Sequence, residues 1–386
     1  MAYNRKQRLN DNIKAIETAF ILDREQRTPT ARERLLLERY CGFGGLKCIL
    51  NPARELADAV HWAKSDLELF APTVELHRLI RENSKNESEY KQLMDSLKQS
   101  VLTAFYTPSA VTEALTDVLK EHQIIPEKVL EPSAGIGAFV DSVLDNNPKA
   151  DIMAFEKDLL TGKILRHLHP EQKVRIEGFE KIEKPFNDYF DLAISNIPFG
   201  DVVVFDPSYT AMKGMRALVT RRIHNYFFVK ALDTVRDGGL VAFITSQGVL
   251  NAKNNSAARF MMLYHADLVS AIRLPNNLFT ENANTEVGSD LIILQKNSQK
   301  ESLRGDDNLL DTVYNDENRI PTNNYFLEHP ERIIHTTAKL DTDPFGKPAM
   351  IYTHEDGVEG IAEDLRKMLN EDFGRNFHLS RYLGEE

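Results

Sequence analysis

The sequence predicts an α/β fold with a mostly parallel, doubly wound sheet, for two reasons. Seven short apolar runs have the length of buried strands, and they cover residues 129–132, 152–156, 174–178, 191–196, 239–246, 266–275 and 290–296. Amphipathic stretches of helical length separate several of them, at residues 108–122, 138–146, 159–167 and 226–235. Strands and helices that alternate at this spacing are typical of a parallel sheet with helices on both faces. The last two strands lie closer together, and we expect an edge hairpin there.

Two further regions flank this domain. Residues 1–100 place apolar side chains at helical spacing, for example Ile13, Ile16 and Phe20, and lack strand-like alternation. Residues 301–386 are polar, acidic and rich in turn formers, and they contain one clear helix at 360–369. The sequence therefore predicts a helical N-terminal region over 1–100, the α/β domain over 101–300 and an irregular acidic C-terminal extension over 301–386.

The charge of the chain has to be considered by region. With 47 Lys and Arg against 58 Asp and Glu among 386 residues, the net charge is −11. Such a charge disfavours a nucleic-acid binder, because phosphate contacts need a cationic surface. Residues 301–386, however, hold 19 acidic and nine basic residues and carry nearly all of the excess. The charge of the whole chain is therefore a poor guide to what the middle region binds.

Cysteine content and hydropathy define the compartment. The two cysteines, Cys41 and Cys48, lack the spacing of a zinc site or a redox pair, so we expect reduced thiols and no metal site. The N-terminus has no apolar core of a signal peptide, and no run approaches the ~18 apolar residues of a membrane span. We expect a soluble, cytoplasmic protein without a membrane partner.

The first chemical motif is a Gly-x-Gly turn, formed by Gly135 and Gly137, between a buried strand and a helix. Glycines permit the tight turn and a close approach of a ligand to the backbone, and the helix that follows presents free N–H groups. Many folds use such glycines for geometry alone. The third glycine of a dinucleotide fingerprint is replaced by Ala138 and Phe139, which argues against a nicotinamide cofactor.

The second motif is a carboxylate at a strand end. Glu156 follows the next strand, 21 residues after Gly135. Most carboxylates at strand ends are only solvated. Together with the glycine turn at this distance, however, Glu156 is expected to bind the two hydroxyls of a ribose.

The third motif, Ser195-Asn-Ile-Pro-Phe-Gly200, follows another strand. The Asn196 side-chain carbonyl and a backbone carbonyl could both accept hydrogen bonds from one –NH2 group, and the aromatic ring could stack on the flat base that bears it. This arrangement would aim the nitrogen lone pair at an electrophile. An Asn-x-Pro turn with a packed Phe is the purely structural alternative.

Three segments resemble motifs I, II and IV of the S-adenosylmethionine-dependent amino-group DNA methyltransferases. In chain order they are Glu131-Pro-Ser-Ala-Gly135, Glu156 and Asn196-Ile-Pro-Phe199. Thr103-Ala-Phe-Tyr-Thr-Pro108 resembles motif X, and Gly178-Phe-Glu180 falls where motif III is expected. The order X, I, II, III, IV resembles the γ arrangement of N6-adenine enzymes. The resemblance implies a Rossmann-like methyltransferase fold over about residues 100–300. It also implies methyl transfer from S-adenosylmethionine to the N6 amino group of adenine in DNA.

The resemblance also implies roles for individual residues. The catalytic residues are Asn196, Pro198 and Phe199. The cofactor-binding residues are Phe105, Tyr106, Thr107, Glu131, Ser133, Gly135, Gly137, Glu156 and Phe179. Contacts with the substrate are expected for Ile197 and, in the subfamily that this chain resembles, for His224, although a lone His is more often structural. Independently of the resemblance, the basic cluster beside the third motif adds Lys213, Arg221 and Arg222 as candidate substrate contacts. Ile197 stands where the family usually has Pro, and its backbone carbonyl is retained.

Further segments are similar to the large methylase–helicase proteins of phages and conjugative elements. They are Tyr40-Cys-Gly-Phe-Gly-Gly-Leu46, Ile223-His-Asn-Tyr-Phe-Phe228, Asn323-Asn-Tyr-Phe-Leu-Glu-His-Pro330 and Phe345-Gly-Lys-Pro348. This similarity implies that the chain is the methylase portion of such a protein. DNA is then the expected partner, together with a helicase or a recognition domain or subunit that this chain does not contain.

Alternatives remain open from the sequence. The same Asn-x-Pro-aromatic motif occurs in methylases of RNA adenine and of protein glutamine, because each must hold an amide-like –NH2. An inert cofactor- or DNA-binding module is the alternative outside the enzymes. A basic loop after the third motif, with Lys213, Arg216, Arg221 and Arg222, fits either phosphate contacts or a solvated surface. No cysteine lies near the motif, which argues against the cytosine-C5 route.

Overall fold

A seven-stranded sheet forms the centre of the computed structural model, which describes residues 4–103, 106–280, 286–303, 307–314, 319–343 and 346–385. Its strands are β1 (Lys128–Glu131), β2 (Asp151–Phe155), β3 (Lys173–Arg175), β4 (Phe190–Asn196), β5 (Val235–Ser246), β6 (Ala266–Leu274) and β7 (Ser289–Lys296). Two antiparallel pairs lie outside it, β8 (Thr312–Tyr314) with β9 (Pro321–Asn323) and β10 (Thr337–Thr342) with β11 (Pro348–Thr353).

The helices connect these strands and flank the sheet. In chain order they are α1 (Arg5–Glu25), α2 (Ala31–Glu38), α3 (Phe70–Glu82), α4 (Glu87–Thr103), α5 (Ser109–Glu121), α6 (Ala138–Asn146), α7 (Leu159–Leu168), α8 (Pro207–Thr210), α9 (Met215–Val219), α10 (Ile223–Thr234), α11 (Gly248–Asn251), α12 (Ser256–His265), α13 (Asn324–Glu328), α14 (Gly357–Asn376) and α15 (Leu379–Leu383). Among the described residues, no helix combines the length and apolar character needed to cross a bilayer.

The strand order β3-β2-β1-β4-β5-β7-β6 confirms the predicted Rossmann-like, doubly wound class. The five strands from β3 to β5 pair in parallel, and β7 pairs antiparallel with both β5 and β6. The expected edge hairpin is confirmed, because the consecutive strands β6 and β7 pair antiparallel at one edge of the sheet. Within it β6 is the outer strand, and β7 lies between β5 and β6. Its neighbouring residues Ile292 and Ile293 are both fully buried, as a strand covered on both faces requires.

Successive side chains along each strand point to opposite faces of the sheet and pack into two separate hydrophobic cores. On one face, Val129 and Leu192 pack with α5, α6 and α14. On the other face, Leu130 and Ala193 pack with α10 and α12. This alternation follows from the period of two in a β-strand, and it leaves the strand ends free to carry polar groups.

The helical N-terminal region is confirmed, and it packs against the sheet domain through α7. Leu160, Ile164 and Leu168 of α7 share one core with the apolar side chains of α1 to α4. The Tyr40 hydroxyl hydrogen-bonds Thr161 of α7 at 3.3 Å, and Asp158 at the start of α7 accepts a 2.6 Å bond from Ser96 of α4.

The terminal helix is longer than predicted. It begins at Gly357 and ends at Asn376, whereas the sequence pattern suggested 360–369. Apolar side chains continue at helical spacing beyond Leu369, and Phe373 is buried against the sheet core. The irregular C-terminal extension therefore contains a helix of the core. The division of the chain at residues 100 and 300 stays a prediction.

A buried ion pair joins the two antiparallel strands. Arg273 of β6 faces Asp290 of β7, and two bonds of 2.9 and 3.0 Å join the guanidinium to the carboxylate. Arg273 also donates to Asn251 at 3.0 Å, and its guanidinium lies 4.2 Å from the ring centre of Phe326. The segment that contains Asn323 and Phe326 therefore packs on the sheet near this pair, where the Asn323 N–H donates to the Asn251 side chain.

Candidate active site

The glycine turn follows β1 and begins α6. Gly135 has φ +56° and Gly137 has φ +94°, conformations that L-residues with side chains rarely adopt. The Ala134 N–H donates to the Phe155 carbonyl of β2 at 2.9 Å, which fixes the turn against the neighbouring strand. The backbone conformation thus favours glycine at both positions, most strongly at Gly137.

Tyr106 lies directly on this turn. A Cβ atom at Gly135 would fall 2.9 Å from Cε1 of the tyrosine ring, closer than side chains tolerate. The structure therefore brings the predicted motif X segment against the glycine turn. Next to it, Thr107 is buried, and its hydroxyl has no hydrogen-bond partner among the described residues. Phe105 lies outside the residues that the structure describes.

Glu156 extends its carboxylate to the same turn. One oxygen accepts a 2.8 Å bond from the Gly135 N–H, and the other accepts a 2.8 Å bond from the Asp158 N–H. Burial raises the pKa of Glu156 to about 8, and the charge of Asp158 adds to the shift. A carboxylate has lone pairs for about four hydrogen bonds, so capacity remains for hydroxyl donors.

A second carboxylate, Glu131, lies at the end of β1. It is almost completely buried and accepts a 3.0 Å bond from the Ser133 N–H. Burial raises its pKa to about 8, while the Ser133 bond opposes the shift and Glu156 adds to it. A turn with two glycines, an unsatisfied hydroxyl and two carboxylates fit a ligand that carries hydroxyl or ammonium donors. The described residues hold no cluster of His, Cys, Asp and Glu suited to a metal ion.

The third motif lies beside this site, because β4 pairs with β1. In a doubly wound sheet the crevice for ligands opens where the strand order reverses, which here is between β1 and β4. Asn196 ends β4 and is half-buried. The following Ile197 N–H donates to the Ile244 carbonyl of β5 at 3.0 Å, which holds the start of the loop on the sheet.

The next residues differ in exposure. The side chain of Ile197 is 1% exposed within the core and its N–H is bonded to β5, so only its backbone carbonyl is left for a substrate. Pro198 and Phe199 are half-buried, and the Phe199 ring makes an edge contact with Phe279 at 6.4 Å between centroids. The ring is thereby supported from one side, as a stacking platform would need.

His224 lies at the start of α10 in a polar network. Its ring is nearly buried, 3.4 Å from the Ser246 hydroxyl and 3.5 Å from the Asn255 amide. Burial lowers its pKa to about 4, so the imidazole is neutral at pH 7. Arg222 donates to the same Asn255 at 2.8 Å and to Asp201 at 2.5 Å. The geometry favours a structural role for both side chains.

Phe179 packs within an aromatic cluster. Its ring meets those of Phe155, Tyr226 and Phe227 at centroid distances of 5.8, 6.5 and 5.3 Å. It is 1% exposed, so its ring is part of the hydrophobic core beneath the ends of β2 and β3. Its contact with a cofactor stays a prediction.

These features agree with a comparison to known protein families. The sequence profile of the N-6 DNA methylase family matches residues 88–351, about two thirds of the chain. The chain belongs to the N-6 DNA methylase family. The resemblance found in the sequence motifs is thereby confirmed.

Two relatives and one solved structure are similar to this N-6 DNA methylase. Defense against restriction protein B of Escherichia phage P1 is 29% identical over 201 residues, 50% of this chain and 8% of that protein. Type II methyltransferase M.XamI of Xanthomonas campestris pv. amaranthicola is 25% identical over 173 residues, 42% of this chain and 33% of that protein. The DNA-bound type ISP restriction-modification enzyme LlaBIII has 13% identity and a TM-score of 0.43, covering 96% of this chain and 28% of that one. The chain thus spans a third or less of both relatives.

Sequence reasoning missed two residues near the site of this methylase. Phe279, which supports Phe199, follows β6 in a short apolar stretch and had no local signal beyond its aromatic ring. Gln247 directly follows β5, and its amide nitrogen is buried without a partner among the described residues. A Cβ atom at Gly288 would lie 2.5 Å from the Gln247 carboxamide carbon. The sequence signal that could have identified Gln247 is its position as a polar residue directly after the apolar strand β5.

Proposed function

We propose that this chain transfers a methyl group from S-adenosylmethionine to the N6 amino group of adenine in DNA. One observation carries the proposal: the glycine turn after β1 and the Asn196–Phe199 loop after β4 lie at the same reversal of strand order. A cofactor bound at the first and a base bound at the second would be neighbours. Membership of the N-6 DNA methylase family supports the choice of substrate.

The cofactor would be held by residues around the glycine turn. Glu156 would accept hydrogen bonds from the ribose hydroxyls, and the turn at Gly135 and Gly137 would let the ligand approach the backbone. Glu131 and Thr107 offer a carboxylate and an unsatisfied hydroxyl for the remaining polar groups. S-adenosylmethionine supplies a methyl group already activated on a sulfonium, so no covalent enzyme intermediate is needed.

The loop after β4 would act on the adenine. The Asn196 side-chain oxygen and a backbone carbonyl at Ile197 or Pro198 would accept the two N6 hydrogens, which directs the nitrogen lone pair outward. Phe199, supported by Phe279, would stack on the base. Adenine cannot reach this loop inside a duplex, so it must leave the base stack first.

The partners and location are part of the same proposal. We infer that the chain acts on DNA in the cytoplasm, within a restriction-modification setting or a mobile element. We also infer that a helicase or a recognition domain or subunit assists it. The phage relative, of which this chain matches 8%, supports that inference.

A test of the proposed function is to offer tritiated S-adenosylmethionine with random-sequence DNA, RNA and a protein mixture in parallel. We expect label in DNA, and mapping of N6-methyladenine in the DNA pool should give the recognised sequence. Label confined to RNA or to protein would contradict DNA as the substrate. A folded protein that binds no cofactor in calorimetry would instead indicate an inert module.

The two buried carboxylates predict a pH dependence of cofactor binding. Glu131 and Glu156 have pKa values raised to about 8, so binding through their ionised forms requires loss of protons below that pH. The affinity for the cofactor should therefore fall as the pH is lowered from about 8.5 to about 6.5. The fall should be up to roughly tenfold per pH unit for each carboxylate that must be ionised for binding. Calorimetry with 5′-methylthioadenosine measures this cleanly, because that probe has the adenosine half of the cofactor and no titrating amine.

Glu156→Gln provides the control for this prediction. The amide keeps an acceptor oxygen but cannot ionise, so affinity should be weaker and its pH dependence shallower. If wild-type affinity is constant across this range, the two carboxylates do not contact the adenosine portion.

A further inference from the structure

The segment of residues 201–222, between the Phe199 loop and α10, is folded back tightly on the domain. Asp206 is buried and accepts bonds from the Tyr226 hydroxyl at 2.6 Å and the Ser208 N–H at 2.9 Å. Lys230 of α10 donates to the same carboxylate at 3.3 Å. The first part of the segment is thus fixed to α10.

A second anchor holds the later part of the segment. Arg216 makes a bidentate pair with Asp233 of α10, at 2.6 and 2.9 Å, and the Tyr209 hydroxyl donates to the same carboxylate. The side chains of Val204, Tyr209 and Val219 point into the core. Two anchors on α10 and three buried side chains therefore hold the segment in a defined position, and its remaining side chains are exposed.

The exposed part of the segment is unusually apolar. Phe205 is 77% exposed and Val203 is 71% exposed, although side chains of this size are normally covered. The other large apolar side chains exposed on the segment are Val202, Met212, Met215 and Leu218. Exposed apolar side chains grouped in this way mark an interaction surface more often than a free one.

The charge of the exposed residues in the same segment helps to distinguish among possible partners. Lys213 and Arg221 are exposed, and no carboxylate among the described residues lies within ion-pair distance of either. The segment has two acidic residues: Asp206 is buried, and Asp201 is paired with Arg222. In a chain of net charge −11, this exposed part is apolar and cationic without a free acid, which complements the bases and phosphates of DNA.

We propose that the 201–222 segment contacts the DNA duplex beside the adenine that has left the stack. Phe205, Val202 and Val203 would pack on the bases uncovered there, and Lys213 and Arg221 would contact phosphates. The inference rests on the proposed function and adds a surface that promotes base extrusion. Extrusion breaks the stacking and pairing of the base, and apolar side chains inserted at a base step offset part of that cost.

The position of the segment agrees with this role. Val202 is three residues from Phe199, so their Cα atoms are at most about 11 Å apart at roughly 3.5 Å per residue. Val202 and Val203 are therefore within reach of a duplex whose adenine binds at Phe199. The anchors through Asp206 and Arg216 keep the segment in place before DNA arrives, which reduces the entropy lost on binding.

The test compares Phe205→Ala with the wild-type chain on two DNA substrates. Both contain the sequence mapped for the wild-type protein; in one the target adenine is paired with thymine, and in the other it faces an abasic site. We expect kcat/KM to fall roughly 10- to 100-fold on the paired duplex and to be nearly restored on the unpaired one. Affinity for S-adenosylmethionine should be unchanged.

Leu340→Ala is the matched control, since Leu340 is also exposed but lies on β10. Lys213→Gln and Arg221→Gln should each reduce the salt slope of DNA binding by about one. An equal loss on both substrates, or no loss on either, would overturn the inference. The inference would also be overturned if Phe205→Ala lost self-association while methylating DNA normally. That result would show that the segment binds a second copy of the chain.

The two proposals fail in different ways. A wild-type protein that methylates no DNA contradicts the proposed function, and the inference with it. A wild-type protein that methylates DNA while Phe205→Ala does so equally well contradicts the inference alone.

Discussion

Asn196→Ala is expected to lower kcat for methyl transfer to DNA by roughly 100- to 1000-fold, with little change in cofactor affinity. The side-chain oxygen at the end of β4 is the acceptor that would hold one N6 hydrogen, and alanine has no replacement for it. The cofactor contacts lie around the turn after β1 and involve other residues. Single-turnover kinetics with calorimetry on the same sample separates the two effects.

Asn187→Ala is the matched control for this substitution. Asn187 is exposed and precedes β4 at its other end, so its loss should leave methyl transfer unchanged. Full activity of Asn196→Ala would show that the target base is held elsewhere.

Asp290→Ala is expected to destabilise the folded chain strongly. It leaves the Arg273 guanidinium buried without its carboxylate partner, which typically costs about 3–5 kcal/mol of unfolding free energy. Burial raises the pKa of Asp290 while Arg273 opposes the shift, so the pair is stable only as a unit. Urea unfolding followed by circular dichroism measures the loss as a lower midpoint.

Two variants sharpen that measurement. Asp341→Ala breaks the exposed Lys339–Asp341 pair on β10 and should leave the midpoint unchanged. The double variant Arg273→Met, Asp290→Leu removes both charges and should recover most of the stability. If Asp290→Ala unfolds at the wild-type urea concentration, the buried pair contributes nothing to the fold.

Sequence periodicity predicted the seven strands of the central sheet, because most of them contain nearly continuous apolar runs. Two bounds differ, since β3 ends at Arg175 rather than at residue 178 and β5 begins at Val235 rather than at residue 239. The pattern gave no signal for β8 to β11, which lie in the region expected to be irregular. It could not predict that β7 inserts between β5 and β6, since pairing order depends on contacts far apart in the chain. The Arg273–Asp290 pair follows from that insertion, and neither residue had a local signal. The length of α14 was underestimated because its charged positions conceal the apolar stripe that ends at Phe373.

The residues of the candidate site could be predicted where they lie at or directly after the end of a strand. Gly135, Glu156 and Asn196 each come at or just after a strand end, and parallel strands bring such ends to one edge. The contact of Tyr106 with Gly135 joins separate segments, and no motif spacing encodes it. The basic loop was similarly ambiguous, because only the structure shows that Arg216 is paired with Asp233.

The insertion of β7 also sets an order for folding during synthesis. Strands β3 to β5 can pair as soon as they leave the ribosome, but β5 and β6 have no partner on their facing edges until residues 289–296 follow. Open strand edges recruit other chains. The half of the sheet next to the Asn196 loop therefore stays vulnerable to aggregation until β7 closes the gap and α14 covers it. Nascent chains that stop before residue 289 cannot complete the sheet.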